Sequence, residues 1–272
     1  MSNQAALPIH LYQQPMKKLF LSLGIFLTIT LFYSCDCEKG SGNMITETYD
    51  YDYFDKIQVE GDYTVYIYQD TVAQITIEAE DNILPLIDTY LTTDNRLIIE
   101  TDKCIRKHRQ IIITVSMPDV REIRSDGSAQ ISVVSNINTD ELRLETYGSG
   151  NISLNTVNAE SLIFVDIRGS GDVSIEELTT PQLRVKIFGS GDFGANGTAE
   201  VFDIDIFGSG DVNTYGLDSE TCDISITGSG NCYVTVYDRL DVQITGSGNV
   251  YYRGSPDTVD VYITGSGSAV AG

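Results

Sequence analysis

Gly-Ser-Gly triplets recur along the second half of the chain, and the residue after each triplet is of a type that can bind a cation. These residues are Asn151, Asp172, Asp192, Asp211, Asn231, Asn249 and Ser268. Calcium takes several oxygen ligands, so Asp172, Asp192 and Asp211 predict a Ca²⁺ column if equivalent residues stack. The alternative is that Asp and Asn side chains hydrogen-bond the backbone of turns. Interleaving of Asp with Asn favours this alternative, and no other cofactor is expected.

Two further sets of side chains precede the triplets. Phe188 and Phe207 stand one residue before a triplet, near Arg168, Arg184 and Lys186. Contiguous exposed apolar surface often marks a contact site, so these five residues predict a binding strip for an extracellular glycan or protein. The alternative is that they only pack on one another or lie under a loop. Five residues before the later triplets stands an acidic column, formed by Asp203, Asp223, Asp241 and Asp260.

Several acidic residues lie near Arg and Lys residues, an arrangement that could support catalysis. Some parallel β-helices are polysaccharide lyases, which use Ca²⁺-binding acids with an Arg or Lys base, and Asp166, Asp172 and Asp192 lie near such bases here. The repeats are short and regular, however, without the long insertions that build a substrate cleft. The one His after the N-terminal apolar segment, His108, lies near a different loop, so no Ser/His/Asp or Cys/His set is expected. The sequence therefore predicts a protein that is not an enzyme. A net charge of −22 argues against binding to nucleic acid.

The spacing of the triplets predicts the architecture that would position these side chains. The triplets begin at Gly148, Gly169, Gly189, Gly208, Gly228, Gly246 and Gly265, after a degenerate copy at Gly127. A period near 20 residues is typical of a solenoid, in which each unit packs on its neighbours. Apolar residues alternate before each triplet, as Leu183, Val185 and Ile187 do, which indicates strands with one buried face.

This pattern excludes two competing folds. A leucine-rich repeat requires a Leu-rich frame that is absent, and a sandwich of antiparallel strands requires turns every 8–12 residues. The sequence thus predicts an all-β, single-stranded parallel β-helix, right-handed, with coils of about 20 residues. Residues 119–272 form the regular coils. Residues 45–118 keep the alternation without the triplets, and are predicted to be atypical N-terminal coils that cap the solenoid.

The N-terminal residues predict export and a membrane anchor. Lys17 and Lys18 precede an apolar run that is too short to span a membrane, so residues 16–34 are interpreted as a signal peptide. The run ends in Ser34-Cys35, which resembles a lipobox, with Cys35 as the lipid anchor. Residues 1–15 are interpreted as a mis-assigned start, because a signal begins at its basic end. Gly and Ser in residues 35–44 predict a flexible tether before a β-helix domain at 45–272.

Several separate blocks carry a family resemblance. Phe54, Ile57, Val59, Gly61, Tyr63 and Val65, then residues 82–86, then Leu97 and Ile99, then the Gly-Ser-Gly-Asp/Asn units follow one another in order. This order resembles the family called "putative auto-transporter adhesin, head GIN domain". The resemblance implies a β-helical body on secreted lipoproteins of Bacteroides-like bacteria, and it offers no catalytic residues.

Taken together, these patterns predict an exported, lipid-anchored, non-enzymatic β-helix protein that acts in cell-surface adhesion or in glycan or protein binding. A structural cell-envelope protein without a ligand is the first alternative, and a Ca²⁺-dependent polysaccharide lyase is the second. The expected location is the outer membrane, facing the cell surface or the periplasm. The last coil lacks a polar cap, and an uncovered edge strand invites association, so an end-to-end homodimer is also predicted. Cys222 and Cys232 fall on inward positions and are expected to be buried core residues, although export would permit a disulfide.

Overall fold

The structure is a computed structural model that describes residues 37–272. The predicted mis-assigned start, signal peptide and lipid anchor lie outside the described residues. The strands are β1 (Glu38–Lys39), β2 (Met44–Asp50), β3 (Lys56–Val59), β4 (Thr64–Gln69), β5 (Gln74–Glu80), β6 (Asp88–Leu91), β7 (Arg96–Glu100), β8 (Ile105–Arg106), β9 (Ile112–Met117), β10 (Glu122–Ser125), β11 (Gln130–Val133), β12 (Ile137–Gly148), β13 (Asn151–Gly169), β14 (Val173–Gly189), β15 (Phe193–Gly208), β16 (Val212–Gly228), β17 (Asn231–Gly246), β18 (Asn249–Gly254), β19 (Thr258–Gly265) and β20 (Ser268–Ala271).

From β10 onward the strands of each coil pair in parallel with those of the next. Val165 is in register with Val185, which is in register with Ile204, and that residue with Ile224. This pairing confirms the predicted parallel β-helix with coils of about 20 residues. Its right-handed winding stays a prediction.

The alternating apolar residues fill the interior of the coils. Leu183, Val185 and Ile187 are completely buried, and the residues between them point outward. Because the side-chain period of a strand is 2, a slip of one residue would turn every core side chain to solvent. The hydrophobic pattern therefore holds each coil in register with its neighbours.

The Gly-Ser-Gly corners bring the backbones of successive coils close together. Gly208 has a φ of 143°, a left-handed conformation that L-residues resist. A Cβ atom built there would lie 2.1 Å from the carbonyl oxygen of Gly189, one coil earlier. The amide of Ser209 donates to that same carbonyl at 2.8 Å. The corner therefore requires glycine both for its backbone conformation and for the approach of the preceding coil.

The N-terminal region forms atypical coils, as predicted, but in an order that the sequence does not indicate. β3 and β4 stack in parallel under β10 and β11, and β7 and β9 stack in parallel under β3 and β4. The coil formed by β7 and β9, although later in the chain than β3 and β4, thus lies farther from the regular coils. Antiparallel strands complete this end, because β5 pairs with β9 and β2, and β6 pairs with β7. We call residues 37–117 the N-terminal cap.

The described part of the predicted tether, residues 37–44, makes contacts with the rest of this cap. Cys37 forms a disulfide with Cys104, and β1 pairs in parallel with β8. The side chain of Glu80 accepts a hydrogen bond from the amide of Gly42 at 2.7 Å. Gly and Ser composition predicts flexibility only where no such partners are present.

The last coil, formed by β19 and β20, has inward residues that nothing among the described residues covers. Val261 is 46% exposed, whereas Val242, at the same position one coil earlier, is buried. The predicted end-to-end homodimer stays a prediction. Within residues 37–272, no helix has the length and apolar character that crossing a membrane requires.

The corner geometry predicts that Gly208→Ala destabilises the solenoid. The added methyl group would strain the backbone and meet the carbonyl of Gly189, for an expected loss of about 2–5 kcal/mol in the free energy of unfolding. Urea unfolding followed by circular dichroism measures the loss.

Gly194→Ala is the matched control, because Gly194 lies in the same strand and a Cβ atom added to it would have its nearest neighbouring atom 3.8 Å away. We expect this variant to unfold at nearly the wild-type urea concentration. Equal effects of the two substitutions would contradict the assigned role of the corner.

Candidate functional site

The residues just before the triplets form straight columns on the outer surface of the solenoid. The column one residue before the triplets runs through Tyr147, Arg168, Phe188, Phe207, Thr227, Thr245 and Thr264. Its aromatic part is continuous. Phe188 and Phe207 stack with ring centroids 5.0 Å apart and planes 5° from parallel, and the two side chains are 39% and 45% exposed. Stacking covers the facing surfaces of the two rings and leaves their edges exposed as a continuous apolar platform.

Arg168 extends this platform toward the N-terminal cap. Its guanidinium carbon lies 5.3 Å from the ring centroid of Phe188 and 5.3 Å from that of Tyr147, so the cation is held between two aromatic faces. Arg124 lies over the ring of Tyr147, at 4.3 Å. Neither Tyr147 nor Arg124 belongs to the binding strip predicted from the sequence. We call Tyr147, Arg168, Phe188 and Phe207 the aromatic strip.

A buried carboxylate orients the guanidinium of Arg168. Asp166 is only 4% exposed, and it accepts hydrogen bonds from Nε and Nη2 of Arg168 at 3.2 and 3.0 Å. These bonds and the charge of Asp166 raise the pKa of Arg168. The guanidinium is thus oriented by its ion pair as well as by the rings, and it extends the platform.

Arg184 and Lys186 point outward from the same strand as Phe188 but lie in separate columns. Arg184 Nη2 is 3.2 Å from Asp203 Oδ2, and Lys186 Nζ is 3.5 Å from Asp205 Oδ2. Each pair links one coil to the next. The structure therefore divides the predicted strip: Arg168, Phe188 and Phe207 form the stack, while Arg184 and Lys186 lie beside it.

Beside the strip, these two bases mark one end of a groove of about 660 Å³. The acidic column forms its floor, because Asp203, Asp223, Asp241 and Asp260 are in register on four successive coils. The remaining lining includes Asp205, Ser225, Gln243 and Tyr262. Positive charge at one end and carboxylates along the rest give the groove a polarity that suits an extended polar ligand.

Asp223 is the acid of this groove with a clearly perturbed pKa. Partial desolvation raises the pKa of Asp223, and the neighbouring carboxyls of Asp241 and Asp203 raise it further. Arg239 acts in the opposite direction, but it forms an ion pair with Asp241. Stacking of like charges in one column thus opposes ionisation of the central acid.

The column after the triplets forms a hydrogen-bonded ladder. Oδ1 of Asp172 accepts from the amide of Asp192 at 2.9 Å, and Oδ1 of Asp192 accepts from the amide of Asp211 at 2.8 Å. The same bond recurs from Asn151 to Asn249. An amide oxygen accepts as a carboxylate oxygen does, which explains why Asp and Asn alternate.

This ladder supports the turn interpretation over the calcium column. One oxygen of each Asp side chain is already used by an amide of the next coil. Within residues 37–272 no group of three or more His, Cys, Asp and Glu side chains is placed to hold a metal ion. Calcium binding by Asp172, Asp192 and Asp211 stays a prediction.

The groups considered for lyase chemistry are also engaged in structural contacts. Asp166 pairs with Arg168 and Arg184 with Asp203, and Asp172 and Asp192 belong to the ladder.

Cys222 and Cys232 are buried free thiols, as expected, and burial raises the pKa of both. The disulfide joins Cys37 and Cys104 instead, a pairing that the sequence analysis did not consider.

Comparison with known proteins gives one family match. The family model described as "Putative auto-transporter adhesin, head GIN domain" matches residues 53–165 and 163–256. A search of curated proteins gave no match.

Solved structures from Bacteroidales resemble the chain in fold. A putative adhesin from Parabacteroides merdae has a TM-score of 0.79 at 24% identity, over 86% of this chain and 98% of that chain. A putative lipid binding protein from Parabacteroides distasonis has a TM-score of 0.80 at 20% identity, over 86% and 99%. A putative adhesin from Bacteroides fragilis has a TM-score of 0.66 at 24% identity, over 86% and 99%.

The ladder predicts different outcomes for two substitutions of Asp192. Asp192→Asn keeps the acceptor, so its free energy of unfolding is expected to match that of the wild type. Asp192→Ala leaves the amide of Asp211 without a partner, for a loss of about 0.5–1.5 kcal/mol. Urea unfolding with Ca²⁺ and with a chelator measures both. A stabilisation by Ca²⁺ that Asp192→Asn abolishes would instead support the calcium column.

The raised pKa of Asp223 predicts a pH-dependent effect of Asp223→Asn. The unfolded state ionises at the ordinary Asp pKa, whereas the folded state keeps its proton up to the raised pKa. As the pH rises from the first value through the second, ionisation favours the unfolded state and the free energy of unfolding of the wild type falls. The variant avoids this loss, so its melting temperature is expected to exceed that of the wild type at pH 7. The difference should disappear below the ordinary Asp pKa. Asp257→Asn, which removes an exposed charge outside the groove, is the control.

Proposed function

The chain belongs to the "putative auto-transporter adhesin, head GIN domain" family, and on that premise we propose that it is an exported, lipid-anchored, non-enzymatic adhesin. Its ligand is an extracellular glycan or protein, bound on the aromatic strip and in the adjoining groove. The proposed anchor is Cys35, and the proposed location is the outer membrane, facing the cell surface or the periplasm.

The observation that carries the binding proposal is the stacked, exposed pair of Phe188 and Phe207. Two parallel rings at 5.0 Å leave their edges exposed as a continuous apolar surface, while most large apolar side chains of the coils are buried. Contiguous exposed apolar surface of this kind often marks a contact site, here for the apolar faces of sugar rings or the side chains of a protein partner. Arg168 lies against Phe188 and extends this surface with a charged group.

The groove adds polar contacts in the same direction as the strip. Both run along the stacking axis, across coils spaced about 4.8 Å apart. A linear ligand that lies along this axis would meet rings on one side and the Asp column on the other. Carboxylates accept hydrogen bonds from hydroxyl and amino groups, which are abundant in glycans and also present in proteins.

The disulfide supports the proposed export. Disulfides form and persist in oxidising compartments outside the cytoplasm, and Cys37 and Cys104 join segments 67 residues apart in the chain. This agrees with the signal peptide and lipobox interpreted from residues 16–35. The non-enzymatic role is supported by the engagement of Asp166, Arg168 and Arg184 in contacts within the solenoid.

A binding screen with a double variant tests the proposal. We expect the wild type to bind a component of a glycan array or a matrix-protein array in a saturable manner. The double variant Phe188→Ser with Phe207→Ser should bind more weakly, with a dissociation constant raised about tenfold or more. A tenfold change corresponds to about 1.4 kcal/mol of binding free energy. Both rings are partly exposed, so the variant should keep the wild-type circular dichroism spectrum.

Tyr237→Ser is the matched control, because it removes an aromatic ring that is 51% exposed but lies outside the strip and the groove lining. This variant is expected to bind as the wild type does. Binding that survives loss of both phenylalanines would refute the assigned surface. A wild-type protein that binds nothing on either array would favour the structural envelope role.

A further inference from the structure

The described Lys and Arg side chains divide into two groups by their partners. Most of these cations pair with carboxylates, as Lys56 does with Asp94 and Arg121 with Asp119. Arg253 is an exception whose guanidinium lies over the ring of Tyr215. Within residues 37–272, the remaining cations form no ion pair, and all of them lie in two short segments of the N-terminal cap. They are Lys39, Lys103, Arg106, Lys107 and Arg109.

These two segments form one surface because they are joined covalently and by hydrogen bonds. The Cα atoms of Cys37 and Cys104 are 4.5 Å apart across the disulfide. Lys39 is in register with Arg106, and the amide of Glu38 donates to the carbonyl of Cys104 at 2.8 Å. All five cationic side chains are exposed. We call this surface the basic edge.

The acids at the basic edge are fewer than its five cations. Glu38 and Asp102 lie in the same two segments, and Asp36 precedes them in sequence. The buried carboxylate of Glu80 accepts a hydrogen bond from the amide of Arg109 at 3.2 Å. Oε1 of Glu38 accepts a hydrogen bond from the side chain of Asn82, at 2.6 Å. On a chain with a net charge of −22, a local excess of unpaired cations creates a region of positive potential that attracts anionic partners.

The position of the basic edge in the chain indicates which anionic partner it meets. Cys37 follows the proposed anchor, Cys35, by two residues, a stretch of backbone that reaches about 7 Å at most. Anchoring at Cys35 would therefore hold Cys37, and through the disulfide Cys104, close to the membrane surface. Attraction between cations and anionic lipids acts within a Debye length, about 8 Å at physiological salt.

We propose that the basic edge docks on the anionic headgroups of the membrane that holds the lipid anchor. This inference rests on the proposed anchoring at Cys35. The disulfide has a direct function in it, since it fixes the cations of residues 103–109 beside the point where the chain leaves the membrane. Docking would place the N-terminal cap against the headgroups and direct the acidic coils away from a surface of like charge.

Hydrogen exchange on the mature protein tests the docking. The full chain is expressed with its own signal, purified in detergent from cell envelopes, and reconstituted into vesicles of phosphatidylcholine with or without phosphatidylglycerol. We expect backbone exchange in residues 101–110 to slow several-fold when phosphatidylglycerol is present. High salt should remove this protection, because the attraction is screened.

Two charge variants separate the basic edge from net charge. The variant K103Q/R106Q/K107Q/R109Q should lose the protection. The control R121Q/R143Q/R239Q/R253Q removes the same number of positive charges from exposed positions on the coils and should keep it. The intact mass of the N-terminal peptide reports separately whether Cys35 carries the acyl groups.

The outcomes distinguish this inference from the proposed function. An acylated protein whose exchange is the same in both vesicles would overturn the docking and leave the anchor in place. A mature protein without acyl groups would overturn both. Equal protection by soluble dextran sulfate, without vesicles, would assign the basic edge to polyanions in general and overturn the membrane as its partner.

Discussion

The close approach of backbones at the Gly-Ser-Gly corners fixes the register on which the other features depend. A carbonyl oxygen of one coil occupies the space where a side chain of the next would start, 2.1 Å from the point that a Cβ atom on Gly208 would take. Only glycine fits this approach, so a slip that placed a residue with a side chain against the preceding corner would create a clash. Side chains within a few residues of a corner are consequently aligned from coil to coil.

The coils differ in length, and the structure accommodates the difference away from the corners. Consecutive triplets are between 18 and 21 residues apart. The register shifts occur on the far side of the coil, for example between Ile175 and Leu178 and between Thr214 and Asp218. Pairing just before the triplets continues without interruption from β13 to β16. The aromatic strip and the acidic column lie in this invariant part, where a repeated surface can be built with precision.

The sequence predicted the features that depend on periodicity. The spacing of the triplets and the alternation of Leu183, Val185 and Ile187 define the parallel stack, its core and its columns, since a strand buries every second residue. A column gives the order of side chains but not their contacts. The placement of Arg168 between Tyr147 and Phe188 therefore required the structure, as did the ion pairs that separate Arg184 and Lys186 from the strip.

The order of the strands in the N-terminal cap lay beyond prediction for a different reason. The alternation in β5 is the same whether its neighbours run parallel or antiparallel, so the return of the chain through β7 and β9 has no signal in the pattern. The pairing of Cys37 with Cys104 depends on this return, because it spans 67 residues.

The cap and the later coils have opposite electrostatic characters, and this difference gives the solenoid a direction. Cations without ion partners lie beside Cys37, whereas the column from Asp203 to Asp260 lies on coils far along the stacking axis. Successive coils are about 4.8 Å apart, so several coils separate the groove from the basic edge. A membrane held at the basic edge would thus lie well beyond a Debye length from the groove. The acidic groove would then be exposed to ligands without electrostatic interference from such a membrane.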